Sequence, residues 1–147
     1  MKRVTVIGSY LSPYVRKVLA ALHRKGIAYE IDPITPFMGD DRFSQLSPLR
    51  RIPVLLDGDV ALADPSVICE YLEEKRPEPA LYPREIAARA RARWFEEYAD
   101  SRMGDVFIWR YWYPRVDLLC SALTRGCAWF PSIRVRVDGN QARVPYC

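Results

Sequence analysis

The chain has 147 residues, of which half are apolar and about a quarter are charged, a composition typical of a globular protein with one core. Its net charge of +4 comes from basic residues interspersed with acids, which argues against nucleic acid as a partner. No apolar run is long enough for a membrane span or a signal peptide, and the four cysteines form no C-x-x-C pair, so we expect a cytoplasmic protein without membrane or metal partners.

The first third of the chain predicts a β-α-β unit. Residues 2–8 form a β-branched run that ends at a glycine, which is typical of a buried strand. Apolar residues then recur at helical spacing over 13–25, with Ser12 placed to cap the helix and Gly26 placed to end it. A second strand is expected at 27–31, and a β-α-β unit of this length implies that the two strands are parallel.

Turn residues divide the next part of the chain into a loop, a hairpin and a helix. Two prolines and a glycine predict a loop at 32–41, and a short helix follows it. Two apolar runs on either side of the Asp57-Gly58 pair predict a hairpin over 51–64. The following helix is expected to begin with Asp64 as its N-cap and Pro65 in its first position.

A proline-marked linker separates these elements from a long helix. The helical pattern runs from about residue 84 to at least residue 103, and beyond Pro114 no period is sustained. One run in that tail, "SIRVRVDG", is consistent with a single edge strand. The expected division is a first domain at 1–78, a linker at 79–83, the start of an all-helical domain at 84–113 and an irregular tail at 114–147.

Three blocks of the sequence resemble the bacterial soluble glutathione transferases. They are "SPYVRKVLAALHRKGIAYE", "SPLRRIPVLLDGDVALADPSVICEYLEEKRP" and "ARARARWFEEYAD", which occur in the family's order and spacing over roughly residues 3–113. The resemblance implies an α/β thioredoxin-like domain, of order β-α-β then β-β-α, followed by the start of an all-α domain. It also implies that glutathione thiolate attacks a small electrophile, as in detoxification, and that the protein is a homodimer where the helical domain is complete.

The loop after the first strand carries the residues that the resemblance assigns to chemistry. It places Ser12, directly before the helix proline, at the glutathione sulfur, where an O–H donor and the helix N-terminus favour the thiolate. Ser9, Tyr10 and Tyr14 are the alternative donors. A capping role alone would also account for Ser12. Glutaredoxins have C-P-Y-C at this point, and since this chain has no cysteine there, dithiol exchange is excluded.

The glutathione-binding positions implied by the resemblance lie further along the chain. The peptide at Ile52–Pro53 matches a cis peptide of the family, next to which the main chain pairs with the cysteinyl part of glutathione. Arg51 matches a basic residue near the glycyl carboxylate, and Asp64 matches the acid of an acid–serine pair that holds the γ-glutamyl end. Pro65 stands in the place of that serine and lacks both of its donors. Ser66, the next residue, is the candidate to replace it through its hydroxyl or its N–H.

Two departures from the family pattern leave other functions open. The loss of the serine at Pro65 predicts a weakening of glutathione binding by about five- to 150-fold. The tail does not continue the helical domain, which we expect to result from a frameshifted or truncated reading frame, and aromatic residues such as Trp94 and Phe95 would then be exposed. A glutathione-dependent isomerase or dehalogenase would use the same thiolate site. A thioredoxin-fold remnant that binds a partner without turnover is the non-enzymatic alternative.

Overall fold

The computed structural model describes residues 3–34, 41–112, 114–115, 133–137 and 140–144. The chain forms two compact units, Met1–Arg93 and Trp94–Cys147. Most of the predicted loop at 32–41 and most of the predicted irregular tail lie outside the described residues. No helix in the described ranges combines the length and the apolar character that crossing a membrane requires.

The first unit is built on a four-stranded mixed sheet. The four strands are β1 (Val4–Ile7), β2 (Tyr29–Asp32), β3 (Val54–Asp57) and β4 (Val60–Leu62). They lie in the order β2-β1-β3-β4. Strand β1 pairs in parallel with β2 and antiparallel with β3, and β3 pairs antiparallel with β4. This is the thioredoxin-like arrangement predicted from the sequence.

Helices α1 (Pro13–Lys25) and α3 (Pro65–Lys75) begin at the caps that the sequence predicts. The side chains of Ser12 and Asp64 each accept hydrogen bonds from main-chain N–H groups in the first turn of their helices. Gly26 ends α1 in the left-handed conformation, with φ of 62°, which glycine adopts without steric cost. The four helices are α1 (Pro13–Lys25), α2 (Asp41–Leu46), α3 (Pro65–Lys75) and α4 (Ile86–Tyr98).

A single hydrophobic cluster joins the sheet to α1, α2 and α3. Val18 and Leu22 on α1, and Ile68 and Leu72 on α3, are fully buried at the i, i+4 spacing that places them on one face of each helix. Burying a side chain of this size contributes roughly 1.5–3 kcal/mol. The Cys69 thiol, 4% exposed, belongs to the same core. The first unit therefore has a complete core of its own.

A buried ion pair joins the C-terminal end of α1 to the last turn of α3, next to the segment that follows that helix. The Lys25 ammonium group, whose side chain is fully buried, contacts the Glu73 carboxylate and donates a hydrogen bond to the Pro77 carbonyl at 3.3 Å. The same carboxylate accepts a hydrogen bond from the Leu81 N–H at 2.9 Å. Burial alone raises the pKa of Glu73, but the hydrogen bonds from Lys25 and from main-chain N–H groups outweigh it, and the pKa is lowered.

Helix α4 begins two residues later than the sequence predicts, because a glutamate caps it. The Glu85 carboxylate accepts hydrogen bonds from the N–H groups of Ala87 at 2.8 Å and Ala88 at 2.6 Å. Glutamate is not among the usual N-cap residues, so its side chain gives little sequence signal for a helix start. The helix therefore starts at Ile86 instead of the expected residue 84.

The second unit contains the end of α4, two π-helical stretches and a hairpin. The helical path continues past the predicted minimum end at residue 103, through wider turns at Ala99–Met103 and Asp105–Trp112. Trp94 and Phe95 are 61% and 64% exposed, as expected from the sequence. The predicted edge strand is one arm of an antiparallel hairpin, formed by β5 (Ile133–Val137) and β6 (Asn140–Val144).

Candidate functional site

Three segments that carry the predicted site residues lie along one edge of the sheet. Strand β1 ends at Ile7, which pairs with Val54 at the start of β3. Strand β4 ends at Leu62, which pairs with Leu55. The loop after β1, the residues before β3 and the start of α3 therefore meet at the same edge. These segments contain the predicted residues Ser9, Tyr10, Ser12, Tyr14, Arg51, Ile52, Pro53, Asp64 and Ser66.

Ser12 lies half-buried at the N-terminus of α1. Its Oγ accepts a hydrogen bond from the Val15 N–H at 3.4 Å, and its carbonyl accepts one from the Arg16 N–H at 3.0 Å. Since a hydroxyl group has one donor hydrogen besides its acceptor lone pairs, the capping contact leaves the Ser12 O–H available to donate. An anion placed here would also experience the favourable field of the helix N-terminus.

The alternative donors occupy less favourable positions around the same loop. Ser9 lies outside the helix, and its Oγ accepts a hydrogen bond from the Leu11 N–H at 3.3 Å. Tyr10 is 60% exposed, and Tyr14 is half-buried on the first turn of α1. Of the four candidates, Ser12 combines a hydroxyl donor with the cap position of α1.

Gly8 allows the loop after β1 to pack directly on its neighbours. A Cβ atom at this position would lie 2.6 Å from the Val15 Cγ2 atom and 3.5 Å from the Ile52 Cβ atom. The Gly8 N–H also donates to the Asp32 carbonyl at 2.9 Å, which fixes the end of β1 against β2. The position of the Ser12 loop therefore depends on the missing side chain of Gly8.

Replacing Gly8 with alanine should lower the free energy of unfolding by about 1–3 kcal/mol, because the new methyl group overlaps Val15. The effect is measured by urea unfolding followed by far-ultraviolet circular dichroism. Gly58→Ala is the control: its Cβ meets nothing within 4 Å, so only its left-handed φ of 65° adds a cost of about 1 kcal/mol. In a Val15→Ala background the Gly8→Ala penalty should shrink. An unchanged penalty there would rule out the Val15 contact as its cause.

The peptide between Ile52 and Pro53 is cis, which confirms the prediction. Ile52 is 6% exposed, with its side chain in the core. Neither its main-chain N–H nor its carbonyl forms a hydrogen bond with another residue that the structure describes. Two polar main-chain groups thus lie at the sheet edge without a partner from the described chain, which is the condition for pairing with an extended peptide ligand.

Ser47 holds the main chain that leads to Ile52. Its hydroxyl, in a residue that is 1% exposed, donates to the Arg51 carbonyl at 2.9 Å and accepts from the Arg51 N–H at 3.0 Å. The preceding Arg50 has a left-handed φ of 51°, and its guanidinium donates to the Ser44 hydroxyl at 2.7 Å. Ser47 was not among the site residues predicted from the sequence. The sequence feature that could have identified it is a serine directly before a proline at the end of a short helix.

The start of α3 carries an exposed carboxylate and a cross-helix contact. Asp64 Oδ1 accepts hydrogen bonds from the N–H groups of Ser66 at 2.9 Å and Val67 at 3.0 Å. The Ser66 hydroxyl accepts a hydrogen bond from Lys17 Nζ, on α1, at 2.9 Å. The N–H of Ser66, which was expected to help replace the serine lost at Pro65, is therefore already used by the Asp64 cap. The sequence analysis also missed Lys17.

A cleft of about 280 Å³ lies elsewhere on the first unit, between α3, the linker and the first turns of α4. Its lining includes two ion pairs: Arg93 contacts Glu70 at 3.0 Å, and Arg84 contacts Glu78. None of the predicted site residues lines it. Within the part of the chain that the structure describes, no cluster of three His, Cys, Asp or Glu side chains could hold a metal ion.

Comparison with known protein families shows to which family the chain belongs. The family described as "Glutathione S-transferase, N-terminal domain" matches residues 6–80, which is about half of the chain. The chain belongs to the glutathione S-transferase family. This confirms the resemblance seen in the sequence and agrees with the thioredoxin-like sheet of the first unit.

Individual glutathione S-transferase relatives are similar to this chain over two thirds of its length or more. The "Uncharacterized GST-like protein YibF" of Escherichia coli is 37% identical over 100 residues, which cover 67% of this chain and 49% of that protein. A glutathione S-transferase structure from Rhodospirillum rubrum is 33% identical with a TM-score of 0.65, covering 69% of this chain and 46% of that chain. A transferase from Methylobacterium radiotolerans, solved in complex with glutathione sulfonate, is 27% identical with a TM-score of 0.63, covering 86% and 55%. The chain thus spans about half the length of these relatives.

Proposed function

We propose that the sheet edge binds glutathione and holds its sulfur as a thiolate, which attacks a small electrophile. The observation that carries this proposal is the meeting of the Ser12 cap, the main chain of Ile52 and the Asp64 carboxylate at one edge. The main chain of Ile52 has no hydrogen-bond partner among the described residues. The glutathione sulfonate complex of the Methylobacterium radiotolerans relative supports the choice of ligand. The proposed setting is the cytoplasm, with a homodimer where the helical domain is complete.

Ser12 is the proposed donor to the glutathione sulfur. A free thiol has a pKa of about 8.5, so only a few per cent of it is ionised at neutral pH. Lowering that pKa by about two units requires roughly 2.7 kcal/mol, which a charge-assisted hydrogen bond and the N-terminus of α1 together can supply. The thiol proton leaves to solvent, and the sulfur lone pair forms the new bond to the electrophilic carbon. The bond between that carbon and its leaving group breaks, and the leaving group departs with the electron pair. Ser12 donates a hydrogen bond throughout and is never the nucleophile.

The rest of glutathione is proposed to lie along the same edge. The cysteinyl part pairs with the N–H and carbonyl of Ile52 in the manner of an added β-strand. The exposed Arg51 side chain binds the glycyl carboxylate, and Asp64 binds the ammonium group of the γ-glutamyl end. Ser66 contributes its hydroxyl at the start of α3.

A titration of the 147-residue chain with glutathione tests the proposal. Binding is followed by calorimetry, and ionisation of the bound thiol by ultraviolet absorbance of the thiolate. Saturable binding with thiolate at neutral pH is the expected result. S-methylglutathione is the control, because it should bind without any thiolate absorbance. A folded chain that binds neither ligand would overturn the proposal.

Pro65→Ser should tighten glutathione binding by about five- to tenfold, because it restores a hydroxyl and an N–H beside Asp64. The change is measured as the ratio of dissociation constants in the same titration. Pro83→Ser is the matched control, since that exposed proline lies outside the proposed site. Equal affinities for the Pro65→Ser variant and the unmodified chain would contradict the assignment of Pro65 to the γ-glutamyl position.

One observation favours a second candidate function, in which a domain of the glutathione S-transferase family binds a partner without catalysing a reaction. Pro65 removes two donors, and the N–H of Ser66 is already used by Asp64. The thiolate measurement separates the two candidates, because a domain without chemistry would bind glutathione as the neutral thiol or not at all. A glutathione-dependent isomerase or dehalogenase would share the proposed thiolate, and no contact among the described residues of the first unit favours either.

A further inference from the structure

We propose that the chain pairs with a second copy of itself through one apolar face of the helical path in the second unit. The two helical paths run antiparallel and are related by a two-fold axis. The residues that form this face, called the aromatic face below, are Trp94, Phe95, Tyr98, Met103, Phe107 and Tyr111. The pairing is independent of the proposed glutathione site, which lies in the first unit.

The aromatic face exposes large apolar side chains to solvent. Each of its six side chains is between 43% and 64% exposed. The rings pack on one another: the centroids of Trp94 and Tyr98 are stacked 5.7 Å apart, and Phe95 meets Trp94 edge-on at 5.0 Å. A contiguous patch of this kind is typical of an interaction surface and not of the surface of a monomer.

The π-helical turns bring the aromatic face onto one side of the helical path. Tyr98 and Phe107 are nine positions apart, so in an α-helix with about 3.6 residues per turn they would lie on opposite sides. Hydrogen bonds in a π-helix run from residue i to residue i+5, and a turn holds roughly four to five residues. Met103 and Tyr111 continue the series at intervals of five, four and four residues. The wider turns therefore align these side chains.

The size of the aromatic face suits an interface between two proteins. An aromatic side chain has roughly 150–250 Å² of surface, so the six half-exposed side chains offer about 600–700 Å² on each copy. A stable dimer buries about 800 Å² of each partner, and charged residues at the rim supply part of that area. The face is therefore large enough to hold two copies together once its flanks are included.

The flanking charges are complementary when the two copies run antiparallel. In a two-fold pairing centred on Met103, Phe95 lies opposite the partner's Tyr111, because both are eight positions from the centre. Glu97 and Arg110 lie six and seven positions from it, and about three π-helical turns separate them, so they share one flank. Each exposed Glu97 then meets the partner's Arg110, whereas a parallel pairing would set like charges opposite one another.

The charge of this segment favours a second copy over a lipid surface. Residues 94–115 contain four acids and three arginines, so they have no excess of positive charge to attract an anionic membrane. Arg110 already contacts Asp105 of its own chain at 3.2 Å. Since a guanidinium group has five N–H donors, it can also bind a carboxylate of the second copy.

Sedimentation velocity of the 147-residue chain over a concentration series tests the pairing. The unmodified chain should form a concentration-dependent dimer. Met103→Glu sets two carboxylates side by side at the two-fold axis and should raise the dissociation constant of the dimer by at least about tenfold. Glu97→Arg and Arg110→Glu should each raise it by about tenfold, because each creates two like-charge contacts per dimer. The double variant Glu97→Arg/Arg110→Glu should restore the original value.

Val67→Glu is the matched control, because it introduces the same charge at an apolar position of α3 that is 47% exposed in the first unit. It should leave the dissociation constant unchanged, and circular dichroism should show the same fold in every variant. A dimer weakened by Val67→Glu and not by Met103→Glu would overturn the proposal. A double variant as weak as the single ones would overturn the antiparallel arrangement. A chain that stays monomeric and floats with phosphatidylcholine vesicles would assign the face to lipid, and one that stays monomeric without binding vesicles would equally overturn the pairing.

Discussion

Replacing Glu73 with alanine should lower the free energy of unfolding by about 3–5 kcal/mol, the largest stability effect that we expect in this chain. The Lys25 side chain is fully buried, and Glu73 is the carboxylate that compensates its charge. Without that carboxylate, the Pro77 carbonyl is the remaining partner of the buried ammonium group among the described residues. Since a domain is typically stable by about 5–15 kcal/mol, the variant should be close to unfolded at 37 °C. Urea unfolding followed by circular dichroism measures the loss.

Glu74→Ala is the control for this prediction, because the neighbouring glutamate is exposed and its loss should change stability by no more than about 0.5 kcal/mol. A Lys25→Met/Glu73→Gln double variant should be more stable than Glu73→Ala, since it leaves no charge in the core. Equal losses of stability in Glu73→Ala and in the double variant would show that the loss of the ion pair is not the cause of the destabilisation.

The stability that Glu73 contributes should also depend on pH. Its pKa is lower in the folded chain than in the unfolded chain, where it is about 4.3. The stabilisation is therefore fully present above that value and is lost as the pH falls toward the folded pKa. The difference in stability between the unmodified chain and Glu73→Gln should accordingly narrow below about pH 4.3, where unfolding midpoints can be compared.

Ser12→Ala should raise the pKa of bound glutathione by about one to two units, because the hydroxyl donor is lost while the N-terminus of α1 remains. At neutral pH the thiolate fraction would then fall by roughly three- to 25-fold, and the rate of attack on an electrophile with it. Glutathione affinity should change only a few-fold, because most of its contacts lie on other segments. The pH dependence of thiolate absorbance in the bound complex measures this shift.

Ser9→Ala is the matched control for the second prediction, since it removes a hydroxyl from the same loop. It should leave the thiol pKa unchanged. Ser12→Ala also loses the cap of α1, which costs about 1 kcal/mol, so its stability is measured alongside. A normal thiolate pKa in Ser12→Ala together with a shifted one in Ser9→Ala would transfer the role of donor to Ser9.

The elements with strong local signals were predicted correctly from the sequence. Helix α1 runs over the expected 13–25, because a Ser-Pro start and Gly26 define both ends within a few residues. The hairpin around Asp57-Gly58 was also predicted correctly, because the Asp-Gly pair is a local signal for its turn. Strand β2 was expected at 27–31 but lies at Tyr29–Asp32, because its ends are set by pairing with β1 and not by turn residues. The π-helical stretches have no comparable local signal.

The candidate site was predictable only as far as a family resemblance could take it. The resemblance supplied the cis peptide at Ile52–Pro53, which the structure confirms. It could not supply the contact between Lys17 and Ser66, which joins two helices across 49 positions of the chain. The sequence also could not show that the N–H of Ser66, one of the two groups expected to replace the lost serine, donates to the Asp64 cap. The roles of Ser12, Arg51 and Asp64 toward glutathione remain proposals.

The pairing of β1 with β3 has a consequence for how the sheet edge assembles. It joins residues about fifty positions apart, whereas the β3–β4 hairpin closes over only a few residues. Local hairpins form quickly and distant strand pairs slowly, so we expect the edge that carries Ser12 and Ile52 to be completed late in folding. A ligand that contacts both segments would then stabilise the pairing of β1 with β3, which is the last step of folding. Glutathione should accordingly slow hydrogen exchange at Ile7 and Val54 more than in the hairpin.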